Sequence, residues 1–156
     1  MPSCTSCSAA VLLASIRKAG FSPDKPTASP QGNAATAIDG LQERESLGAT
    51  GVGHGIALPH ARLQDLIHIR AIFLRLERPL DYDSVDRQPV DLIFALFAPK
   101  DSGVDHLKAL ALVSRTMRDP GICAKLRANT DTGKLHAILT EALLLARLNA
   151  RYGTSA

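Results

Sequence analysis

His60 closes the run Thr50-Gly51-Val52-Gly53-His54-Gly55-Ile56-Ala57-Leu58-Pro59-His60, in which glycines lead into a short apolar stretch that stops at a proline. Pro59 fixes its own φ, lacks an N–H and biases Leu58 toward extended backbone. The histidine after it therefore begins a loop at a strand end, with a rigid entry direction. A neutral imidazole offers a nitrogen lone pair near pH 7 that can attack phosphorus, and the phosphoramidate formed can pass its group onward. Gly51, Gly53 and Gly55 would let backbone or a ligand approach closely, although their spacing matches neither standard phosphate-loop pattern. On this segment alone an exposed loop histidine without chemistry is the simpler reading.

A second histidine, His106, follows Ser102-Gly103-Val104-Asp105, which has the form of a capping box. That pattern predicts a helix capped by Ser102 and running to about Arg118. His106 then lies in the first turn, where unsatisfied N–H groups and the positive end of the macrodipole favour an anion over imidazolium. It is suited to hold an anionic oxygen, and by position alone an ordinary capping-turn histidine fits as well. Arg44 falls near the end of a predicted helix, Thr36 to Leu47, which delivers it close to the glycine run. Its guanidinium could neutralise an anion there, or it is a solvated helix arginine between Glu43 and Glu45. Thr50 adds a hydroxyl.

His54 and His60, six residues apart, would share one side of an extended chain, a spacing that suggests a metal. Even an open zinc site uses three protein ligands, and no Cys, His or Glu cluster completes this one, so no metal is expected. His54 reads as a loop residue near the site. His68 and His136 fall on a strand face and a helix surface.

These residues need elements to hold them. The helix from Thr36 would be capped by Thr36, carry Ile38, Leu41 and Glu45 on one face and end at Gly48. Gly55 to Leu58 reads as a short strand. Ile67 to Leu76 alternates at first, with Ile67, Ile69, Ala71 and Phe73 opposed to His68 and Arg70, which predicts a strand going from half-buried to buried. Pro79 to Pro89, with Asp81, Asp83 and Asp86, is turn-rich, and Val90 to Phe97 is a buried strand closed by Pro99. Asp119-Pro120 starts a short helix to about Ala128, and Thr130 or Asp131 caps a last helix with Leu135, Ile138, Leu139, Ala142 and Leu143 inward. Strands interleaved with helices define an α/β chain without internal repeats.

With 156 residues, 46% hydrophobic content and mean hydropathy +0.04, the chain has room for one domain with a real core. Its net charge of +3, from 18 basic and 15 acidic residues scattered along the chain, is no electrostatic footprint for nucleic acid. No apolar run is long enough to span a membrane, and Ala9 to Ile16 lacks the preceding basic residues of a signal peptide, so no membrane insertion and a cytoplasmic location are expected. Cys4, Cys7 and Cys123 form an odd set, and Cys4-Thr5-Ser6-Cys7 lacks a second ligand pair, so it receives no role. A short helix is predicted over Ala9 to Ala19, ending at Gly20. Ser22 to Thr36, with prolines at 23, 26 and 30, reads as a mobile loop or linker. The expected division is a segment and linker over 1–36, a domain over 37–148 and a tail over 149–156.

Three blocks in order carry a resemblance: Glu43-Arg44-Glu45-Ser46-Leu47-Gly48-Ala49 running on through Thr50 to His60, then Gln88-Pro89-Val90-Asp91-Leu92-Ile93-Phe94-Ala95-Leu96, then Asp105-His106-Leu107. Together they resemble the enzyme IIA domain of the phosphotransferase system, mannitol/fructose class, and above all its free-standing nitrogen-regulatory branch. The resemblance covers about Ile38 to Thr140; residues 1 to about 36 do not resemble the strand and amphipathic helix usual in members.

It implies a mixed β-sheet flanked by helices in a sandwich, as in phosphotransferase and anion-transport proteins. It implies His60 as phosphoryl acceptor and His106 as the partner histidine that orients the reaction without carrying the group. Arg44, sixteen residues before His60, has the offset of the arginine that members keep near the active centre. Thr50, Gly53, His54 and Gly55 would surround the group. No cofactor is implied. The implied donor is a phosphorylated histidine carrier protein, and the implied output is a regulated protein partner, or alternatively a IIB domain serving fructose or mannitol uptake.

Overall fold

The chain divides into two units, Met1–Gly103 and Val104–Ala156. A computed structural model describes residues 34–153; the Cys4–Cys7 pair, the helix predicted over residues 9–19 and most of the predicted linker lie outside the described residues.

In the first unit α1 (Ala34–Ser46) precedes β1 (Gly51–Gly53), β2 (Ile56–Ala57), β3 (His60–Leu63), β4 (Arg70–Leu80) and β5 (Val90–Pro99). The helix starts two residues before the predicted cap, because Ala34 and Ala35 are strong helix formers and carry the first turn with Thr36 inside it. Ile38 and Leu41 are buried and Glu45 is half-buried, the face that the spacing predicts. That face packs on β3 through a close approach: a Cβ on Gly40 would stand 3.1 Å from the Ala61 Cβ. A glycine in a helix interior is unfavourable in isolation, and here the missing side chain lets helix and strand meet.

All five strands join one mixed sheet. β5 is its centre, with β2 and β3 parallel along one edge and β4 antiparallel along the other. The segment after Pro59 is therefore a strand and not the predicted loop. Pro59 has no N–H to donate, yet its carbonyl accepts from the Leu96 N–H at 2.9 Å, so the edge continues past it and His60 pairs with Leu96. A core of Leu41, Leu63, Leu74, Val90, Ile93 and Phe97, with Tyr82 among them, fills the space between α1 and the sheet.

β4 departs from expectation. Ile67 and Ile69 are exposed and precede the strand, and Leu74, with Ile72 and Leu76 beside the core, supplies the inward face. Burial peaks mid-strand and falls again, because among the described residues β4 pairs with β5 alone and its register shifts between Arg75 and Leu80.

β1 and β2 form a hairpin closed by His54 and Gly55, both at positive φ (56° and 75°), the two-residue turn whose twist suits paired strands. Beneath it lies the turn-rich connection after β4. A Cβ on Gly51 would fall 2.5 Å from the Ser84 Cβ and 2.8 Å from its Cα, while the Gly51 carbonyl accepts from the Val85 N–H at 3.3 Å. The substitution Gly51→Ala is expected to lower stability by about 1–2 kcal/mol, since backbone on both sides must shift. Urea unfolding measures it.

The second unit holds α2 (Asp105–Met117), α3 (Pro120–Ala128) and α4 (Thr132–Tyr152). The predicted capping box does not form. Gly103, at φ 55°, turns the chain between Ser102 and the actual cap position Val104, so the Ser102 hydroxyl cannot reach the first turn and has no hydrogen-bond partner among the described residues. The other two caps follow the sequence: Asp119 accepts from the Gly121 and Ile122 N–H groups with Pro120 opening α3, and Asp131 accepts from the Lys134 N–H. Leu139 and Ala142 are buried and Leu135, Ile138 and Leu143 half-buried, as the periodicity predicts, but α4 continues into the expected tail as far as Tyr152. No described helix is long and apolar enough to cross a membrane.

Candidate functional site

The arginine and the histidine meet because of where α1 crosses β3. Gly40 seats the helix against Ala61, and Arg44, one turn further on the same face, reaches the residue before Ala61. Its Nε donates to His60 Nε2 at 3.2 Å. Its Nη1 donates to the Gly48 carbonyl at 3.1 Å, which holds the guanidinium at the mouth of the glycine run.

The other ring nitrogen of His60, Nδ1, lies 2.9 Å from the Leu58 carbonyl oxygen. A carbonyl only accepts and an arginine Nε only donates, so these contacts match the tautomer with the proton on Nδ1 and the lone pair on Nε2. The ring is half-buried.

Thr50 is buried and doubly held by Glu45. Its N–H donates to Glu45 Oε1 at 2.9 Å and its hydroxyl to Oε2 at 2.6 Å. The Tyr82 hydroxyl completes the cluster, 3.3 Å from Glu45 Oε2 and 3.2 Å from Thr50 Oγ1. Burial pushes the Tyr82 phenol far above its ordinary value; the Thr50 hydroxyl lowers it and the Glu45 charge raises it again. The phenol is thus a hydrogen-bond donor throughout the physiological range.

His54 serves the hairpin turn, exposed, with its N–H donating to Asp86 Oδ2 at 2.8 Å. That N–H, followed by that of Gln88, holds the exposed Asp86 carboxyl below its ordinary value. The hairpin reverses the chain between His54 and His60, which removes the extended-chain premise behind a shared metal. No group of three or more His, Cys, Asp or Glu able to hold a metal ion occurs among the described residues. Gly53, at φ 97°, and Gly55 shape the same turn. His106 belongs to the second unit, buried in the first turn of α2.

The family model for the phosphoenolpyruvate-dependent sugar phosphotransferase system, EIIA 2, matches residues 28–142. The chain belongs to this family. Like other EIIA 2 proteins it is therefore part of a machinery that carries phosphoryl groups. It is 48% identical over 107 residues to a nitrogen regulatory protein of Bradyrhizobium diazoefficiens, covering 69% of this chain and 70% of that one. To a nitrogen regulatory protein of Klebsiella oxytoca it is 43% identical over 106 residues, 67% of this chain and 65% of that one, just under two thirds of the relative's length. A crystal structure of nitrogen regulatory protein IIA-Ntr from Neisseria meningitidis superposes with TM-score 0.67 at 27% identity, covering 89% of this chain and 88% of the other.

Within this EIIA 2 chain the sequence reading of the site overlooked Gly40, the Leu58 carbonyl and Tyr82, and placed Glu45 only as part of a helix face. A glycine one turn before Arg44 inside a helix was the available signal for the first. Nothing local marks Tyr82, thirty-two residues from Thr50.

Proposed function

We propose that this chain is a phosphocarrier of the nitrogen-regulatory branch, which takes a phosphoryl group onto His60 Nε2 from a phosphorylated histidine carrier protein and governs a partner by its phosphorylation state. The observation that carries this reading is the pair of contacts at the His60 ring: Nδ1 lies 2.9 Å from the Leu58 carbonyl oxygen and Nε2 3.2 Å from the Arg44 Nε, which assigns the proton to Nδ1 and the lone pair to Nε2.

Transfer proceeds in line. The bond from phosphorus to His60 Nε2 forms as the bond to the donor's ring nitrogen breaks, and the electron pair of that bond stays with the donor ring. As Nε2 gives up its lone pair, the Arg44 Nε–H passes from the nitrogen to a phosphoryl oxygen, where a guanidinium neutralises charge on the transferring group. The His60 ring gains positive charge, which the Leu58 carbonyl stabilises through Nδ1–H. The donor and this chain share a compartment, which for such a carrier is the cytoplasm.

Incubating the chain with phosphorylated carrier and mapping the acid-labile, base-stable phosphate tests the reading, which requires the label on His60. Onward passage to a IIB domain would assign the sugar-transport role instead. His106 takes the orienting role that the family resemblance gives it. Replacing it, His106→Ala, is expected to slow phosphorylation about tenfold or shorten its lifetime. Because His106 is buried, the loss of packing should also lower stability by about 1–2 kcal/mol, so rates are to be compared at a temperature where circular dichroism shows the variant folded.

A further inference from the structure

We propose that Tyr82 and Glu45 are positioning residues: they clamp Thr50, and through two backbone links they hold His60 with its proton on Nδ1 and its acceptor nitrogen toward Arg44. The proposal rests on the reading of His60 as phosphoryl acceptor.

The chain of contacts is continuous. The Glu45 carboxylate accepts three hydrogen bonds, two from Thr50 and one from the Tyr82 hydroxyl. The clamped Thr50 presents its carbonyl to the Leu58 N–H at 3.0 Å. Leu58 in turn presents its carbonyl to His60 Nδ1 at 2.9 Å. Each link fixes the direction of the next, because Thr50 lies just before β1 and Leu58 is restricted by Pro59. Glu45 also neighbours Arg44 on α1, so the carboxylate that anchors Thr50 anchors the helix end from which the guanidinium projects. One cluster thereby sets the Leu58 carbonyl and the Arg44 guanidinium, which meet the two ring nitrogens of His60.

The Tyr82 hydroxyl is not needed for packing. Its ring sits 2% exposed in the core beside Leu41 and Val90, a place a phenylalanine would fill. A hydroxyl there is tolerated only with partners, and both of its partners belong to the clamp. A half-buried carboxylate with one hydroxyl fewer holds Thr50 less firmly, and the slack passes to the Leu58 carbonyl.

The test uses the full chain as Tyr82→Phe and Glu45→Gln, each checked for folding by circular dichroism. Long-range ¹H–¹⁵N spectra at fixed pH, recorded without donor, read the ratio of the Nδ1–H to the Nε2–H tautomer of His60. Single-turnover transfer from phosphorylated carrier gives the rate constant at saturation and the donor concentration for half-saturation. In either variant the tautomer ratio should fall about threefold to tenfold, the effect of one weakened hydrogen bond. The saturating rate should fall by a similar factor with half-saturation unchanged. A wild-type tautomer ratio in both folded variants overturns the proposal, whatever happens to the rate. Failure of the wild-type chain to accept phosphate overturns the functional reading alone, since the spectra need no donor.

Discussion

The variant His60→Ala should take up no phosphoryl group from the phosphorylated carrier while keeping its fold. Attack on phosphorus needs a lone pair held in one direction, and the site supplies this at Nε2, with the proton parked on Nδ1 against the Leu58 carbonyl. Alanine removes the nucleophile and leaves the backbone alone: Pro59 still accepts from the Leu96 N–H, and residue 60 still pairs with Leu96 as the first position of β3. The ring is half-buried, so its removal should change stability by only about 1 kcal/mol, the scale of a hydrogen bond lost at a partly exposed site. Acid-labile, base-stable label is the measurement. Wild-type labelling in the folded variant would overturn the assignment, and a phosphate mapped to His106 would exchange the two histidines' roles.

What could be read from the chain beforehand follows from the range of the interaction that decides each feature. The core face of α1 was legible because helical periodicity places Ile38, Leu41 and Glu45 together whatever surrounds them. The caps at Asp119 and Asp131 were legible because an aspartate satisfies N–H groups within three residues of itself. The cap at Ser102 was misread although its pattern was as good, since a left-handed Gly103 displaced the helix start. β3 was missed: His60-Ala61-Arg62-Leu63 alternates polar and apolar, but four residues are too short a run to declare a strand, and they become one by pairing with the edge of β5, more than thirty residues later. For β4 the alternation beginning at Ile67 suggested the wrong face, because the pairing with β5 begins at Arg70 and puts Ile72, Leu74 and Leu76 toward the core.

The site divides in the same way. Arg44 and His60 were singled out by residue type and by resemblance, and their contact follows from a single helix-to-strand crossing. The clamp behind them depends on Tyr82, which reaches Thr50 only once the connection after β4 has folded back beneath the hairpin. Such supporting contacts are long-range and carry no motif of their own.

The substitution Arg44→Gln separates two things the arginine does. A glutamine side chain ends its amide nitrogen where arginine has Nε, so it can still donate to His60 Nε2, but it lacks the charge and the Nη1 donor to the Gly48 carbonyl. Lysine does the reverse: it keeps a positive charge at greater reach and loses the Nε–H that faces the imidazole. If the guanidinium neutralises the transferring group, Arg44→Gln should slow single-turnover transfer by roughly one to two orders of magnitude, the loss of one charge-assisted contact in the transition state. Arg44→Lys should slow it only about threefold to tenfold, since a compact ammonium supplies charge without the fork. Both variants should unfold within about 0.5 kcal/mol of wild type, because the Gly48 contact is exposed and the bond to His60 only partly buried. Slowing by Arg44→Lys with little change in Arg44→Gln would mean that the N–H contact to the ring, rather than charge, is what transfer requires. An unchanged rate in both variants would return Arg44 to the solvated face of α1, between Glu43 and Glu45, with no part in transfer.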